Sequence, residues 1–407
     1  MDVCPTPPRS TPLHKVHATG HATHGRMKTA LLVSNRLPDE SGGRAEKVAT
    51  RVDLMGERGW RVVVGHAPEP YVTGFPSAFR SILRLAFREN PDLIVSINNP
   101  FHLHLHGFLV SRLVGVPWLA ELRDPIAAHP DRALTSPRTW GAHAVERLVV
   151  READQVVWHD GIQIPDDYFA TNYPSLPAER FFKLPVMGYE RAKFDAAPAE
   201  EYEEFTITYA GSFYEGWIEP YTFLSGLGAY REAGGEPLRA QFYGDWSPEY
   251  DRAAREAGVA DWVETHEFVP HEEIVPVLKG SDALLYVGGD DPGNRLNLPS
   301  KLWDYVGART PILAVVDPEF RVAEFLREHD LGVVVEPGDA EGVADALGWL
   351  RAGEMGGFDD DADVERFSRE HSADVLAQVF DAVAAGRNVV RVPRSDADTD
   401  ADTGPGR

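Results

Sequence analysis

The chain has 407 residues, 43% of them hydrophobic, enough to bury two cores, because single cores stop growing well before this length. Asp and Glu outnumber Lys and Arg by 64 to 40, and the resulting net charge of −24 argues against nucleic acid as a partner. No apolar run reaches the roughly eighteen residues of a membrane-spanning helix, and no secretory stretch opens the chain, so a cytoplasmic protein is expected. The single cysteine, Cys4, can form no internal disulfide, and neither redox chemistry nor a cofactor is expected. Only seven of the 40 basic residues are lysine. That balance is typical of halophile proteins, whose self-repulsion salt screens, or of a GC-rich genome.

Residues 1–26 read as a disordered leader or as sequence ahead of the true start, since Met27 shortly precedes the first credible strand, Thr29–Ser34. Gly42-Gly43 then opens a helix. Strands are expected at Arg61–Val64, Asp92–Ile97, Pro117–Leu122, Gln155–Trp158 and Phe181–Leu184, with helical periodicity between them. Ahead of Asp92, Arg80, Arg84 and Arg88 recur beside Phe79, Ile82, Leu83, Ala86 and Phe87. This basic amphipathic helix suits a domain core, the stronger reading, and alternatively a peripheral contact with an anionic inner membrane face. In Phe101-His-Leu-His-Leu-His-Gly107, His102 and His106 share a helix face, but one aligned pair lacks a third ligand, so hydrogen bonding to a polar ligand in the cleft is the better reading and no metal site is expected. His159-Asp160 reads as a solvated strand end.

Residues 27–190 thus form one α/β domain. The segment 191–204 is rich in Ala, Glu and Pro without apolar periodicity and reads as a linker. A second series follows over 205–390, with strands at Phe205–Ala210, Arg239–Tyr243, Glu264–Val269, Ala283–Val287, Ile312–Val316 and Gly332–Val335. The acidic remainder, 391–407, is expected to be disordered. Alternating strands and helices imply parallel sheets covered on both faces. The expected class is α/β with two Rossmann-like, doubly wound domains facing across a cleft, and ligands of such sheets bind outside the strands' carboxyl ends.

The segment Leu298–Ala314 carries the sharpest chemical signal. Pro299 suits a helix start, whose unpaired amides and dipole favour an anion such as diphosphate. Ser300, Lys301 and Asp304 fall within about 100° of arc, while Leu302, Tyr305 and Val306 turn towards the sheet. Lys301 adds a full charge, and a carboxylate one turn on can accept from ribose hydroxyls. Ordinary capping is the bland alternative. Asp124 follows a strand at its cleft-facing end, where it can orient an acceptor hydroxyl or take its proton, and Arg123 would keep it ionised; a helix cap is the alternative there.

Pro299-Ser-Lys-Leu-Trp-Asp-Tyr-Val-Gly-Ala-Arg-Thr-Pro311 resembles the "P-S-K-hydrophobic-x-E-Y-x-A-x-G-x-P" signature of family-4 glycosyltransferases. Ala210-Gly211-Ser212 resembles that family's phosphate-proximal glycine turn, Ser281-Asp-Ala-Leu-Leu-Tyr286 its "A-D-x-x-L" strand, and Val335-Glu-Pro-Gly-Asp339 its "P-G-D" ending. Glu121-Leu-Arg-Asp-Pro125 looks like the "L-R-D" of many sugar transferases in this group. The likeness spans about residues 28–385.

The resemblance implies a GT-B fold and transfer of a sugar, hexosyl in type, from a nucleotide-diphosphate donor to a glycan or lipid-linked acceptor. Retention of configuration and independence of metal come with it. It assigns donor contacts to Gly42, Gly43, Gly211, Ser212, Ser300, Lys301 and Asp304, and catalytic roles to Asp124 and Arg123. Three positions depart from the pattern: the second acid is Asp304 where glutamate is usual, Leu296 stands where many members carry another glutamate, and Gly211–Trp217 contains no basic residue. Donor contacts of the lost acid fall to Asp290, Asp291 or Asn294, or are absent. A sugar-nucleotide 2-epimerase and a catalytically silent subunit that binds a nucleotide or partner remain rival readings; a nicotinamide dehydrogenase is disfavoured, because the loop from Asn35 to Gly43 lacks a compact G-x-G-x-x-G turn.

Overall fold

Apolar runs of four to seven residues, closed by turn residues, become the strands β1 (Lys28–Ser34), β2 (Trp60–His66), β3 (Leu93–Ile97), β4 (Trp118–Leu122), β5 (Gln155–His159) and β6 (Phe181–Leu184) of a first sheet. A second sheet contains β7 (Thr206–Ala210), β8 (Arg239–Tyr243), β9 (Val263–His266), β10 (Ala283–Gly289), β11 (Ile312–Val316) and β12 (Gly332–Val335). The computed structural model describes residues 26–41, 43–98, 100–123, 126–127, 137–162, 164–354 and 364–388. Both sheets are wholly parallel, with orders β2-β1-β3-β4-β5-β6 and β12-β11-β10-β7-β8-β9. Counted within its own half, the second order is that of dinucleotide-binding sheets. Strand order reverses between β1 and β3 and between β7 and β10, and a crevice opens at each reversal.

Strands such as Leu93–Ile97 and Ile312–Val316 are buried along their whole length, as parallel strands covered on both faces must be. The expected strand Glu264–Val269 is shorter and shifted, because β9 is an edge strand that pairs only over Val263–His266 before Pro270 begins the next helix. Helices Phe75–Glu89, Leu103–Val114 and Pro137–Glu152 cover one face of the first sheet through Ile82, Val110 and Val149. Helix Gly43–Glu57 covers the other through Val48 and Met55.

Two departures from the expected division appear. The final helix, Arg369–Ala384, packs on the first sheet: the Phe380 ring meets Trp60 edge-on at 5.3 Å, and Asp381 accepts from Lys28 at 2.8 Å and from the Trp60 indole at 3.1 Å. The second domain therefore does not extend through residue 390 by packing, and an amphipathic stripe carries no mark of which sheet it will cover. Within the expected linker, Arg191–Ala196 is helical and buries Phe194 against Tyr189, centroids 5.4 Å apart. The chain crosses between the halves twice, side by side. The Arg369 amide donates to the Tyr189 carbonyl at 2.9 Å, and Gly188 lacks a side chain where one would overlap the Phe367 carbonyl. Of the expected leader 1–26, residues 1–25 lie outside the described residues, as does the whole of the expected tail 391–407.

Candidate active site

A cavity of about 570 Å³ lies between the carboxyl ends of the two sheets. Ser34, Asn98, Arg123 and His159 line it from the ends of β1, β3, β4 and β5, while His271, Leu298, Ser300, Trp303 and Asp304 line it from the second half. The halves touch at one rim, where the Leu298 amide donates to the Gly161 carbonyl at 3.3 Å.

Helix Ser300–Ala308 begins after Pro299, whose extended ψ of 159° ends the preceding chain, and no side chain caps the amides of its first turn. The amides of Ser300 and Lys301 stay available to an anion, while that of Leu302 donates to the Pro299 carbonyl at 3.1 Å. Leu302, Tyr305 and Val306 are buried against the sheet as expected. Ser300 and Asp304 face the cavity, but the Lys301 side chain turns beneath them to the end of β7. There its Nζ donates to the Tyr209 hydroxyl at 2.8 Å and lies 4.5 Å from that ring's centroid. Among the described residues no carboxylate pairs with it. Burial pushes its pKa down to about 8.

Gly211 sits directly above. Its φ of +140° suits glycine, and an added Cβ would approach Lys301 Nζ to 3.0 Å. The Ser212 carbonyl accepts from the Tyr209 hydroxyl at 2.7 Å, which fixes the phenol that meets the lysine. Gly211, Ser212, Ser300, Lys301 and Asp304 therefore gather at the reversal between β7 and β10. Asp304 is engaged by a residue that the sequence did not single out: His271 Nε2 lies 2.9 Å from its Oδ1. Donating to that carboxylate raises the His271 pKa, and burial only partly opposes it.

In the first half, Gly43 begins helix Gly43–Glu57, whereas Gly42 and Asp124 lie outside the described residues. Arg123 lines the cavity, its amide donating to Asn98 Oδ1 at 2.5 Å and its Nε to Glu121 Oε1 at 3.3 Å. Glu121 itself is fully buried. It accepts from both terminal nitrogens of Arg51, Nη2 at 2.7 Å, and lies 3.2 Å from His159 Nε2. Burial alone would raise the Glu121 carboxyl; Arg51, His159 and Arg123 overcome that and hold it well below the usual carboxylate range. His159 is thus a buried member of a charged cluster under the cleft rather than a solvated strand end. Within this cluster the two guanidinium groups of Arg51 and Arg123 face the single carboxylate of Glu121.

The three clustered histidines take another role. His104 is buried on the Ser96 hydroxyl, Nδ1 to Oγ 2.8 Å, His102 lies against Tyr71 with centroids 4.3 Å apart, and His106 stacks on Phe75 at 4.0 Å. None of them lines the cavity, so they do not meet a sugar there. Among the described residues no group of three or more His, Cys, Asp or Glu side chains is placed to hold a metal ion, and no helix is long and apolar enough to cross a membrane.

No family model matches the chain, and neither does any curated protein. Solved structures do. Anabaena HepE in complex with UDP is 14% identical with a TM-score of 0.53, covering 88% of this chain and 97% of that one. HepE in complex with UDP-glucose gives 14% and 0.52 over 87% of this chain and 99% of that one. The lipopolysaccharide outer core galactosyltransferase WaaB, in its apo form, gives 14% and 0.53 over 88% and 99%. At this identity the likeness is one of architecture, and the architecture is GT-B.

Proposed function

We propose that this chain is a glycosyltransferase, hexosyl in type, that moves a sugar from a nucleotide-diphosphate donor to a glycan or lipid-linked acceptor. The single observation carrying the proposal is Lys301: a largely desolvated ammonium that no carboxylate meets among the described residues, at a helix start, beneath the Gly211 turn. A buried charge without a counter-ion is costly, and a diphosphate is the partner that this spot accommodates. The ribose would meet Asp304, and the amides of Gly42, Gly43 and Ser212 would complete the phosphate cradle. The solved relatives in complex with UDP and UDP-glucose support this reading. As the leaving diphosphate gains charge, the same donors stabilise it without a metal. In the proposal Asp124 orients the acceptor hydroxyl and Arg123 keeps it ionised, configuration is retained, and the protein acts in the cytoplasm of a halophile.

A panel of nucleotide-sugars in a thermal-shift assay tests the donor site, since a ligand of the folded state raises the midpoint. Incubation with the binding donor alone separates the rivals. An epimerase would convert it without an acceptor, whereas a silent subunit would bind it with no product under any acceptor.

The same proposal puts the chain on a membrane surface. The three parallel helices over one face of the first sheet turn outward Arg80, Arg84, Phe87 and Arg88; Leu109, Arg112 and Leu113; and Trp140, Arg147 and Arg151, all exposed. Phe87 is 67% exposed and Trp140 65%. The acids of this layer are already engaged: Glu89 by Arg61 and Arg88, Glu152 by Arg112, and Glu146 by the Tyr168 and Tyr173 hydroxyls. Basic and apolar side chains interleaved in this way suit an anionic bilayer. Flotation with phosphatidylcholine vesicles, with and without phosphatidylglycerol, should show binding only to the anionic set, lost in Arg80→Glu/Arg84→Glu. Equal binding to both sets would remove the idea.

A further inference from the structure

The recognising acid of the donor helix sits on a short side chain. Asp304 lies one turn beyond Ser300 and opens on the cavity with a single methylene, so it reaches less far than a glutamate, and only its terminal torsion is left to set the carboxylate plane. His271, the first residue of helix His271–Gly280, lines the same cavity and places Nε2 2.9 Å from Asp304 Oδ1. Among the described residues this is the only hydrogen bond to the Asp304 side chain, so Oδ2 and the second lone pair of Oδ1 remain open to a ligand. The imidazole is itself held: the Phe194 ring meets it edge-on at 6.2 Å, and Lys193 and Glu190 of the crossover lie close by.

We infer that His271 and Asp304 act as one unit that recognises the vicinal hydroxyls of the donor's ribose, with His271 as the positioning residue that fixes the carboxylate plane before the nucleotide arrives. The inference rests on the donor-site reading above. Fixing a rotor in advance spares the complex the entropy of ordering it, which is how one hydrogen bond away from the ligand becomes affinity for the ligand. The same bond consumes one lone pair of Oδ1 and leaves an acceptor for each of two hydroxyls. Diphosphate binding, which falls to Lys301 and the helix amides, is independent of this pair.

Calorimetry with the diphosphates of uridine, guanosine and adenosine identifies the tightest probe, which is then compared with its 2′,3′-dideoxy analogue and with inorganic diphosphate. In His271→Ala the ribose form should lose about tenfold in affinity, the effect of one hydrogen bond, while the dideoxy analogue and inorganic diphosphate bind as to the parent. His271→Gln keeps a donor and should retain most of the preference. The pair His271→Ala/Asp304→Glu should not recover it, because the longer acid adds a torsion and still lacks the bond that fixes the carboxylate. Equal loss for the ribose and dideoxy forms would overturn the inference, as would no loss at all; unchanged binding of inorganic diphosphate reports that the variants are folded. A parent that cannot tell the ribose form from the dideoxy form refutes the role of Asp304 as well, and a parent that binds no nucleoside diphosphate refutes the donor site.

Discussion

Burial depresses the pKa of Lys301 to about 8, so in the empty protein its ammonium begins to lose its proton within reach of neutral pH. An anion bound beside it favours the charged form, so the complex holds the proton more tightly than the free protein. Below pH 8 nucleoside-diphosphate affinity should therefore be flat. Above it, binding must recruit a proton, and affinity should fall by up to about tenfold per pH unit, with proton uptake visible as a buffer-dependent heat. Lys301→Ala should weaken both nucleoside diphosphate and inorganic diphosphate by roughly 1.5–3 kcal/mol, about ten- to hundredfold, and should flatten that profile. In the proposed mechanism Asp124 belongs to a different step. Asp124→Asn should lower turnover in a steady-state assay and leave donor affinity nearly intact, since an interaction made in the transition state is what is lost; unchanged turnover would exclude the residue. Lys301 could be found from the sequence because Pro-Ser-Lys at a helix start is a local pattern. His271 could not: it lies 33 residues from Asp304, and only the packing of two helices joins them.

Elements divide in the same way between what local pattern announces and what assembly decides. The strands were legible because each is an apolar run closed by turn residues, and Phe181–Leu184, Arg239–Tyr243, Ile312–Val316 and Gly332–Val335 have the bounds that the sequence suggests. The Arg51–Glu121 pair was not. An arginine inside a helix and a glutamate inside a strand look solvated until parallel pairing puts β4 between β3 and β5 and the helix above it. Helix Leu103–Val114 offers a test at this scale. Burial lowers the pKa of His104 to about 3 and of His106 to about 4, and that of His102 falls for the same reason. The unfolded chain therefore binds more protons than the folded one below about pH 6.5, and stability is lost as pH falls through that window. Denaturant midpoints should drop between pH 7 and pH 5, and His104→Asn/His106→Phe should drop less.

At the scale of the whole molecule, a net charge of −24 on one chain opposes compaction until counter-ions screen it. The melting temperature should rise by several degrees from low to molar salt, and a flat response would count against an origin in brine. The two adjacent crossovers leave the halves connected along one line, Tyr189 beside Ser368, so a donor bridging the cavity should draw them together about it. Small-angle scattering should record a smaller radius of gyration with donor present.

That second crossover also fixes an order of events on the ribosome. Trp60, Leu93 and Val95 stand on the face of the first sheet that the last helix covers, and Phe380 joins them there only after almost the entire chain has been made. Between β6 and Arg369 lie about 185 residues, roughly 10–40 s of synthesis at typical rates. Throughout that interval the nascent first sheet must carry an apolar face that helix Gly43–Glu57 covers only in part, which makes it a natural client for chaperones. A nascent chain stalled before residue 369 should remain sensitive to protease in its first half after its second half has become resistant.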